Sequence, residues 1–577
     1  MSQLSCGYPT VMLRLSCGKG SIWYRKRSGN GTEMEREWSG NGAGMEWGMG
    51  EGGWIGCESE MKRNVLKNVG VRSENLGSLV EKYIFFEKKA INSCKFKNIL
   101  VSLRRFFAKD VFETLRKVTN LIRMENTNRS FGQLFNLSFG FFGVQIAYAL
   151  QSANISRIFA TLGADPHQLS FFWVLPPLMG MIVQPLIGKY SDKTWTRIGR
   201  RKPYLLIGAL IAVAVMALLP NAGDFTFSQG LFLGLNAAMW FGLFSLMFLD
   251  TSINIAMQPF KMMVGDMVNE EQKGTAYAIQ SALCNAGQVV GCVFPYFFSW
   301  IGISNLALGP NGEVLEGVIP DSVKWSFYIG AAILIACVLY TFFAVKEMDP
   351  QEYAKFHGID PKAEKKEKDP GFVRLLIDAP STFWTVGLVQ FFCWSAFLFM
   401  WTYSNGAIAS QCFGWDGLST AVAEFQNAGD WVGIVFMVQA IGSLLWAMVL
   451  SPLEKLVGNK GAYAVSLVVG AAGFISTMFV TNQYVLFVSY ALIGAAWAAM
   501  LALPFTIFTN SLKGENMGYY LGLFNCTICL PQICAALVGG LILKFCCSGE
   551  QVGMLVVAGI LLLCGAAAVF LIKEKKE

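Results

Sequence analysis

The sequence predicts an all-α membrane protein with twelve transmembrane helices arranged as two six-helix bundles, and three observations predict it. The 577 residues are 54% hydrophobic and only 15% charged, whereas an ordinary soluble domain is nearer a quarter charged. From Phe131 onward, apolar runs recur at about 20 residues, the length of helix that crosses about 30 Å of hydrocarbon. The longest polar interval, Lys346 to Ile377 with "DPKAEKKEKDPG" at its centre, comes after the sixth run and divides the chain six plus six.

The runs cover 132–154, 169–188, 203–220, 230–258, 276–300, 325–345, 382–408, 431–451, 462–480, 484–508, 518–543 and 550–572. Backbone groups cannot stay unpaired in lipid, so each run must be a helix. The organisation expected is an N-terminal bundle at 124–346, a cytoplasmic linker at 347–377 and a C-terminal bundle at 378–577. Residues 1–123 hold no spanning run and no secretory signal. They read either as a disordered cytoplasmic extension or as a non-native extension ahead of a start at Met124.

The net charge of +7 raises the question of nucleic acid, but the cations do not form one polar domain: 22 of the 46 Lys and Arg precede residue 131, and most others flank apolar runs. With the first run starting in the cytoplasm, inward connections carry 21 Lys or Arg and outward ones carry three: Arg157, Lys324 and Lys544. The positive-inside rule then sets both termini in the cytoplasm. Short loops without paired cysteines suit a bacterial inner membrane. The 15 cysteines fall mostly in apolar runs beyond residue 280, and Cys526 and Cys529 have no second pair or His at metal spacing. No metal or cofactor is expected. The chain lacks H-E-x-x-H, G-x-S-x-G and a Walker motif, so neither an enzyme nor an ATP-driven pump is expected.

Ionisable groups inside spans are rare, because a central Asp costs about 2.5–3.5 kcal/mol on insertion scales. Asp250 is the clearest case, with Asn254 and Gln258 on the same face of the fourth run, although a helix stopping at Pro259 would put it near the cytoplasmic end. Other runs carry polar stripes at helical spacing: Gln145, Tyr148 and Ser152 beside Gln151 in the first; Ser281, Asn285 and Gln288 in the fifth; Gln390, Trp394 and Trp401 in the seventh; Asn525 and Gln532 in the eleventh. Amides and aromatic faces suit a sugar's hydroxyls and ring, and four such stripes point to a shared cavity; singly, each residue serves equally well as an interhelical hydrogen bond. Trp173, Trp240 and Trp497 read as interfacial anchors or as cavity residues.

Between the second and third runs lies "GKYSDKTWTRIGRRKP". Topology explains its positive sign but not Gly188, Asp192 or the Gly199–Arg200–Arg201 triplet. The stretch resembles the loop motif of the major facilitator superfamily, which implies a cytoplasmic gate made by Gly188, Asp192, Arg200 and Arg201. Residues Gly132 to Val215, opening on "GQLFNLSFGFFGVQIAYALQ", resemble the first three helices of sucrose–proton symporters, grouped with the glycoside–pentoside–hexuronide cation symporters. "FLDTSINIAMQPFKMMVGDM" is similar to their fourth helix and "YYLGLFNCTICLPQI" to their eleventh. The resemblance covers most of 124–577. It implies the major facilitator fold, sucrose- or maltose-type disaccharides as the substrate class, proton binding at Asp250 and a monomer in the bilayer. His167 of "LGADPHQLS" sits where the family carries a His, implying a role in access or pH response; a plain solvent-exposed His is the other reading. Lys261 stands where the family's fourth helix ends in a cation, with Asp266 or Asp192 as partner.

The function expected is therefore a secondary transporter that moves a disaccharide with a proton by alternating access. A sodium-coupled glycoside symporter is the close variant, and a non-transporting membrane sugar sensor is the alternative of another class.

Overall fold

The computed structural model describes residues 11–17, 20–26, 34–39, 128–225, 231–357, 377–511 and 523–572. The chain forms two compact units, Met1–Lys117 and Val118–Glu577. In the first, β1 (Val11–Cys17), β2 (Gly20–Lys26) and β3 (Met34–Ser39) make an antiparallel sheet in that order, with Val11 opposite Lys26 and Ser21 opposite Ser39.

The second unit is helical. Its N-terminal half contains α1 (Phe131–Thr161), the short α2 (Pro166–Phe172), α3 (Leu175–Lys193), α4 (Lys202–Leu218), α5 (Ala237–Met267), α6 (Glu270–Trp300) and α7 (Asp321–Ala344). α8 (Pro350–His357) lies in the charged interval, whose residues 358–376 fall outside the described ones. The C-terminal half contains α9 (Ser381–Cys412), α10 (Ala423–Ser476), α11 (Leu486–Ser511), α12 (Cys526–Cys546) and α13 (Gln551–Val569).

Local chemistry sets the helix starts. Ser130 and Gln133 form a capping box on α1, and Asn236 and Asn269 each accept a backbone N–H three residues on, at the starts of α5 and α6. Asp165 caps α2, with Pro166 at the first helical position.

Ten helical stretches among the described residues are long and apolar enough to cross a membrane. One of them contains α10, whose 54 residues would reach about 80 Å at about 1.5 Å per residue, too far for one crossing. Gly458, at φ 74°, breaks it into two. α1, with 31 residues, adds the twelfth crossing; buried Gln145, Gln151, Asn154 and Arg157 lower its hydropathy without shortening it. These twelve crossings among the described residues lie six on each side of the charged interval, the division expected from the sequence.

Within the N-terminal half α1 packs on α6 and α7, and α4 on α5; within the C-terminal half α10 packs on α11 and α9 on α13. The halves meet where α6 touches α10 and where α12 touches α2 and α3. Arg157, expected in a loop, lies in α1 and is 1% exposed.

Candidate functional site

Asp250 occupies the middle of α5, because the helix continues through Pro259 to Met267. It is 2% exposed. Gln151 Nε2 of α1 donates to its Oδ1 at 2.7 Å, and its Oδ2 has no partner among the described residues. One turn on, Asn254 Nδ2 donates to the Asp250 carbonyl at 2.8 Å, and Asn254 Oδ1 accepts from Gln184 Nε2 of α3 at 2.7 Å. Gln145 Oε1 accepts from Gln288 Nε2 of α6 at 3.3 Å, and Gln145 Nε2 points at Met257 Sδ of α5. Amides from four helices thus lie along the Asp250–Met257 stretch of α5, and the Asp250 carboxylate has no cation on it among the described residues. Sequence spacing does not single out Gln184; its place opposite Asn254 depends on how α3 and α5 pack.

Tyr148 is half-buried, within electrostatic reach of Asp250, Cys284 of α6 and Cys529 of α12. Lys261, exposed on α5, lies within the same reach of Cys284 and Cys529.

The C-terminal candidates divide. Gln390 and Trp394 share a face of α9, both buried, with Gln390 Oε1 and Trp394 Nε1 unpartnered among the described residues. Trp394, Trp401 and Phe397 pack with Trp497, and Trp401 stacks on Trp173 at 5.9 Å. Trp173 and Trp497 are therefore interior aromatics, not interfacial anchors, whereas Trp240 donates from Nε1 to the Phe232 carbonyl beside the α4–α5 connection. Asn525 accepts at the start of α12 through its backbone carbonyl, and Gln532 and Asn285 donate to carbonyls of their own helices. Among the described residues, those three are not joined to the Asp250 network.

At one end of the N-terminal half, Asp192 takes both arginines: Arg200 Nη2 and, at 2.7 Å, Arg201 Nη2. Arg201 Nε reaches Asp266 Oδ2 at 2.8 Å, so the arginine holds the place expected for Lys261. Glu347, unexpected from sequence, accepts the backbone N–H groups of Arg200, Arg201 and Lys202 at the start of α4, a carboxylate at a helix N-terminus. Gly199 sits at φ 130°, and a Cβ there would run into the Glu347 carboxylate, which explains that glycine. Gly188 is different: a Cβ would meet Met262 Cε at an ordinary 3.7 Å, so crowding does not require a glycine there.

At the opposite end, the halves are bonded to each other. Arg157 Nη1 pairs with Asp430 Oδ1 of α10 at 2.8 Å, and its Nε donates to Gln426 Oε1 at 2.7 Å. Arg157 Nη2 donates to Asn305 Oδ1 at 2.6 Å, and Ser299 Oγ of α6 donates to Asp430 Oδ2 at 2.5 Å. Close by, Ser156 Oγ donates to the Trp401 carbonyl and Gly540 N–H to Ser170 Oγ. Glycines admit this approach: a Cβ on Gly433 would overlap the Cys292 carbonyl, and one on Gly540 the His167 carbonyl. His167 itself is exposed near the start of α2, where its backbone N–H donates to Asp165 Oδ1.

Residues 137–423 match the family model described as Major Facilitator Superfamily. This chain carries a Major Facilitator Superfamily domain. It is a multi-pass membrane transporter and not an enzyme. Among curated proteins, it is 24% identical over 482 residues to "Sucrose transport protein SUT1" of Oryza sativa subsp. japonica, covering 75% of this chain and 86% of that protein. It is 22% identical to "Membrane-associated transporter protein" of Mus musculus, covering 72% and 88%. Among solved structures, a mutant of the nucleoside transporter NupG aligns with TM-score 0.56 at 13% identity, covering 77% of this chain and 99% of that one. A D-xylose-proton symporter aligns with TM-score 0.52 at 15% identity, covering 76% and 96%. These structural likenesses carry the fold.

Proposed function

We propose that this superfamily transporter moves a disaccharide of the sucrose or maltose type, coupled to a proton, by alternating access. The observation that carries the reading is Asp250: a buried carboxylate at the centre of a span, held by one amide, with a free oxygen and no cation bonded to it among the described residues. Such a group can take up a proton from one face and give it to the other. The surrounding amides of Gln145, Gln151, Asn254 and Gln288, with Tyr148 and the α9 indoles, are the groups a sugar needs. The sucrose transport proteins among its relatives support the cargo class.

The Arg200 end faces the cytoplasm under the positive-inside rule, in a plasma membrane with both termini inside. The Arg157–Asp430 end is then the outer face, sealed in this conformation, and the molecule is at an inward-facing stage of its cycle. A membrane potential of about 100 mV adds about 2.3 kcal/mol for each charge carried inward, enough to support uphill accumulation. No resident cofactor takes part; the proton travels with the sugar through a single chain.

Uptake of radiolabelled sucrose and maltose into vesicles, under an imposed pH gradient or an imposed sodium gradient, tests this. Acceleration by the pH gradient alone is expected. Acceleration by sodium alone would replace the proton with sodium. Binding without counterflow would make the protein a sensor.

A further inference from the structure

Beside the Arg157–Asp430 lock, on the sealed face, lies a cavity of about 370 Å³, within the range of small-molecule sites, about 300–1,000 Å³. Both halves build its wall: Ser156 and Thr161 of α1, Asn405 of α9, Trp415 and Thr420 from the α9–α10 connection, and Gln551 of α13. Two of these side chains are buried and carry polar atoms with no partner among the described residues. Asn405 is 4% exposed and neither its Nδ2 nor its Oδ1 is bonded; Gln551 is 7% exposed and its Oε1 is unbonded. Folded chains avoid leaving buried amides unpaired, and a site waiting for a ligand is one reason they persist. A Cβ on Gly406 would overlap the Gln551 amide, so the glycine is what lets that amide lie against α9.

The lining selects a chemistry. No Lys or Arg belongs to it, and its carboxylates are Asp165 and Glu316, which disfavours anions. Amides that both donate and accept suit neighbouring hydroxyls. The half-buried Trp415 supplies an apolar face beside them, its Nε1 already donated to the Ser419 carbonyl. We propose that this cavity is a second carbohydrate site, an outer vestibule that holds a neutral polyhydroxylated ligand while the lock is closed. Its ligand class rests on the sugar-transport reading above; its position and lining do not. The wall also touches the lock. Gln426 Nε2 donates to Thr161 Oγ1 at 3.1 Å and to the Thr420 carbonyl at 2.7 Å, while its Oε1 accepts from Arg157. A ligand pressing on Thr161 and Thr420 acts on the residue that steadies Arg157.

The test is equilibrium binding of radiolabelled sucrose and maltose to the purified full chain, with uptake into vesicles measured in parallel. Two equivalents of one sugar are expected to bind. Gln551→Leu and, separately, Asn405→Leu are expected to lose one equivalent, or to weaken it at least tenfold, while uptake at saturating sugar persists. Asp250→Asn is expected to keep the vestibular equivalent. A single equivalent in the unaltered chain, or two equivalents untouched by both leucine variants, overturns the vestibule. So does displacement of the second equivalent by tetraethylammonium but not by excess unlabelled sugar, which would make the cavity a cation site. Failure of the transport reading shows separately, as absent uptake with binding intact.

Discussion

Asp250 and Asp430 are both acids buried in spanning helices, and their neighbours give them opposite chemistry. Asp430 has Arg157 on one oxygen and Ser299 on the other, so both oxygens are engaged. Asp250 has one amide and one empty oxygen. Asp250→Asn keeps the size and the Gln151 contact, so the protein should fold and catalyse sugar counterflow. Gradient-driven accumulation should fall at least tenfold, and full accumulation would remove Asp250 from the coupling step. Asp430→Asn should instead lower stability without abolishing the fold: it strands Arg157 in a buried site, a change that typically costs about 3–5 kcal/mol. A lowered thermal unfolding temperature in detergent is the readout. The sequence disclosed only the first of these acids. Asp250 lies deep in an apolar run, with Asn254 and Gln258 one and two turns away, and that spacing is visible in one dimension. Asp430 and Arg157 stand just beyond runs drawn at 431 and 154. A boundary placed where hydropathy falls is placed where the charge is, so a charge paired across the fold marks the apparent end of its own helix.

The helices show the same logic. α1 and α10 extend past their apolar runs because buried partners satisfy their polar ends, whereas the count of crossings and the six-plus-six division were legible, since both depend on length and composition alone. Contacts between helices were not, because they depend on which faces meet. α4 crosses α5 at Gly208, where a Cβ would lie 2.6 Å from the Ala256 nitrogen and 2.8 Å from the Ser252 carbonyl oxygen. Gly208→Val should force the two helices apart, at a cost of about 1–3 kcal/mol for overpacking, read as a lower unfolding temperature; an unchanged temperature would mean that α4 is free to shift. Glu347 illustrates the other kind of invisible contact, reaching 145 positions back along the chain to the Lys202 N–H. Anions at helix N-termini typically contribute about 0.3–1 kcal/mol, up to about 2 when partly buried. Glu347→Ala should therefore loosen the Arg200–Arg201 turn and slow transport cycling, with sugar binding from the opposite face retained. An unaltered turnover rate would confine Glu347 to folding.

For the whole molecule, the decisive feature is where the halves are tied. Arg157, Gln426, Asn305, Asp430 and Ser299 form one hydrogen-bonded cluster across the interface at the end opposite the Arg200–Asp192 group. Alternating access requires that such a cluster break, and a buried ion pair is suited to that: it is favourable only when complete, and removing one partner leaves a charge with nothing to meet. Arg157→Met should therefore destabilise the sealed conformation and shift the population towards opening at this face. Asp430→Leu should do the same from the other side. The double variant, Arg157→Met with Asp430→Leu, buries no charge, so it should recover much of the sealed state. The two single effects should then fail to add by about 1–2 kcal/mol, within the range of coupling measured for contacting pairs, about 0.5–3 kcal/mol. The measurement is the modification rate of a cysteine placed at Ser419, on the sealed face, by a membrane-impermeant thiol reagent. Faster modification in each single variant and slower modification in the double variant would identify the pair as the outer lock. Rates that simply add would show that Arg157 and Asp430 stabilise their own helices and that something else holds the face shut.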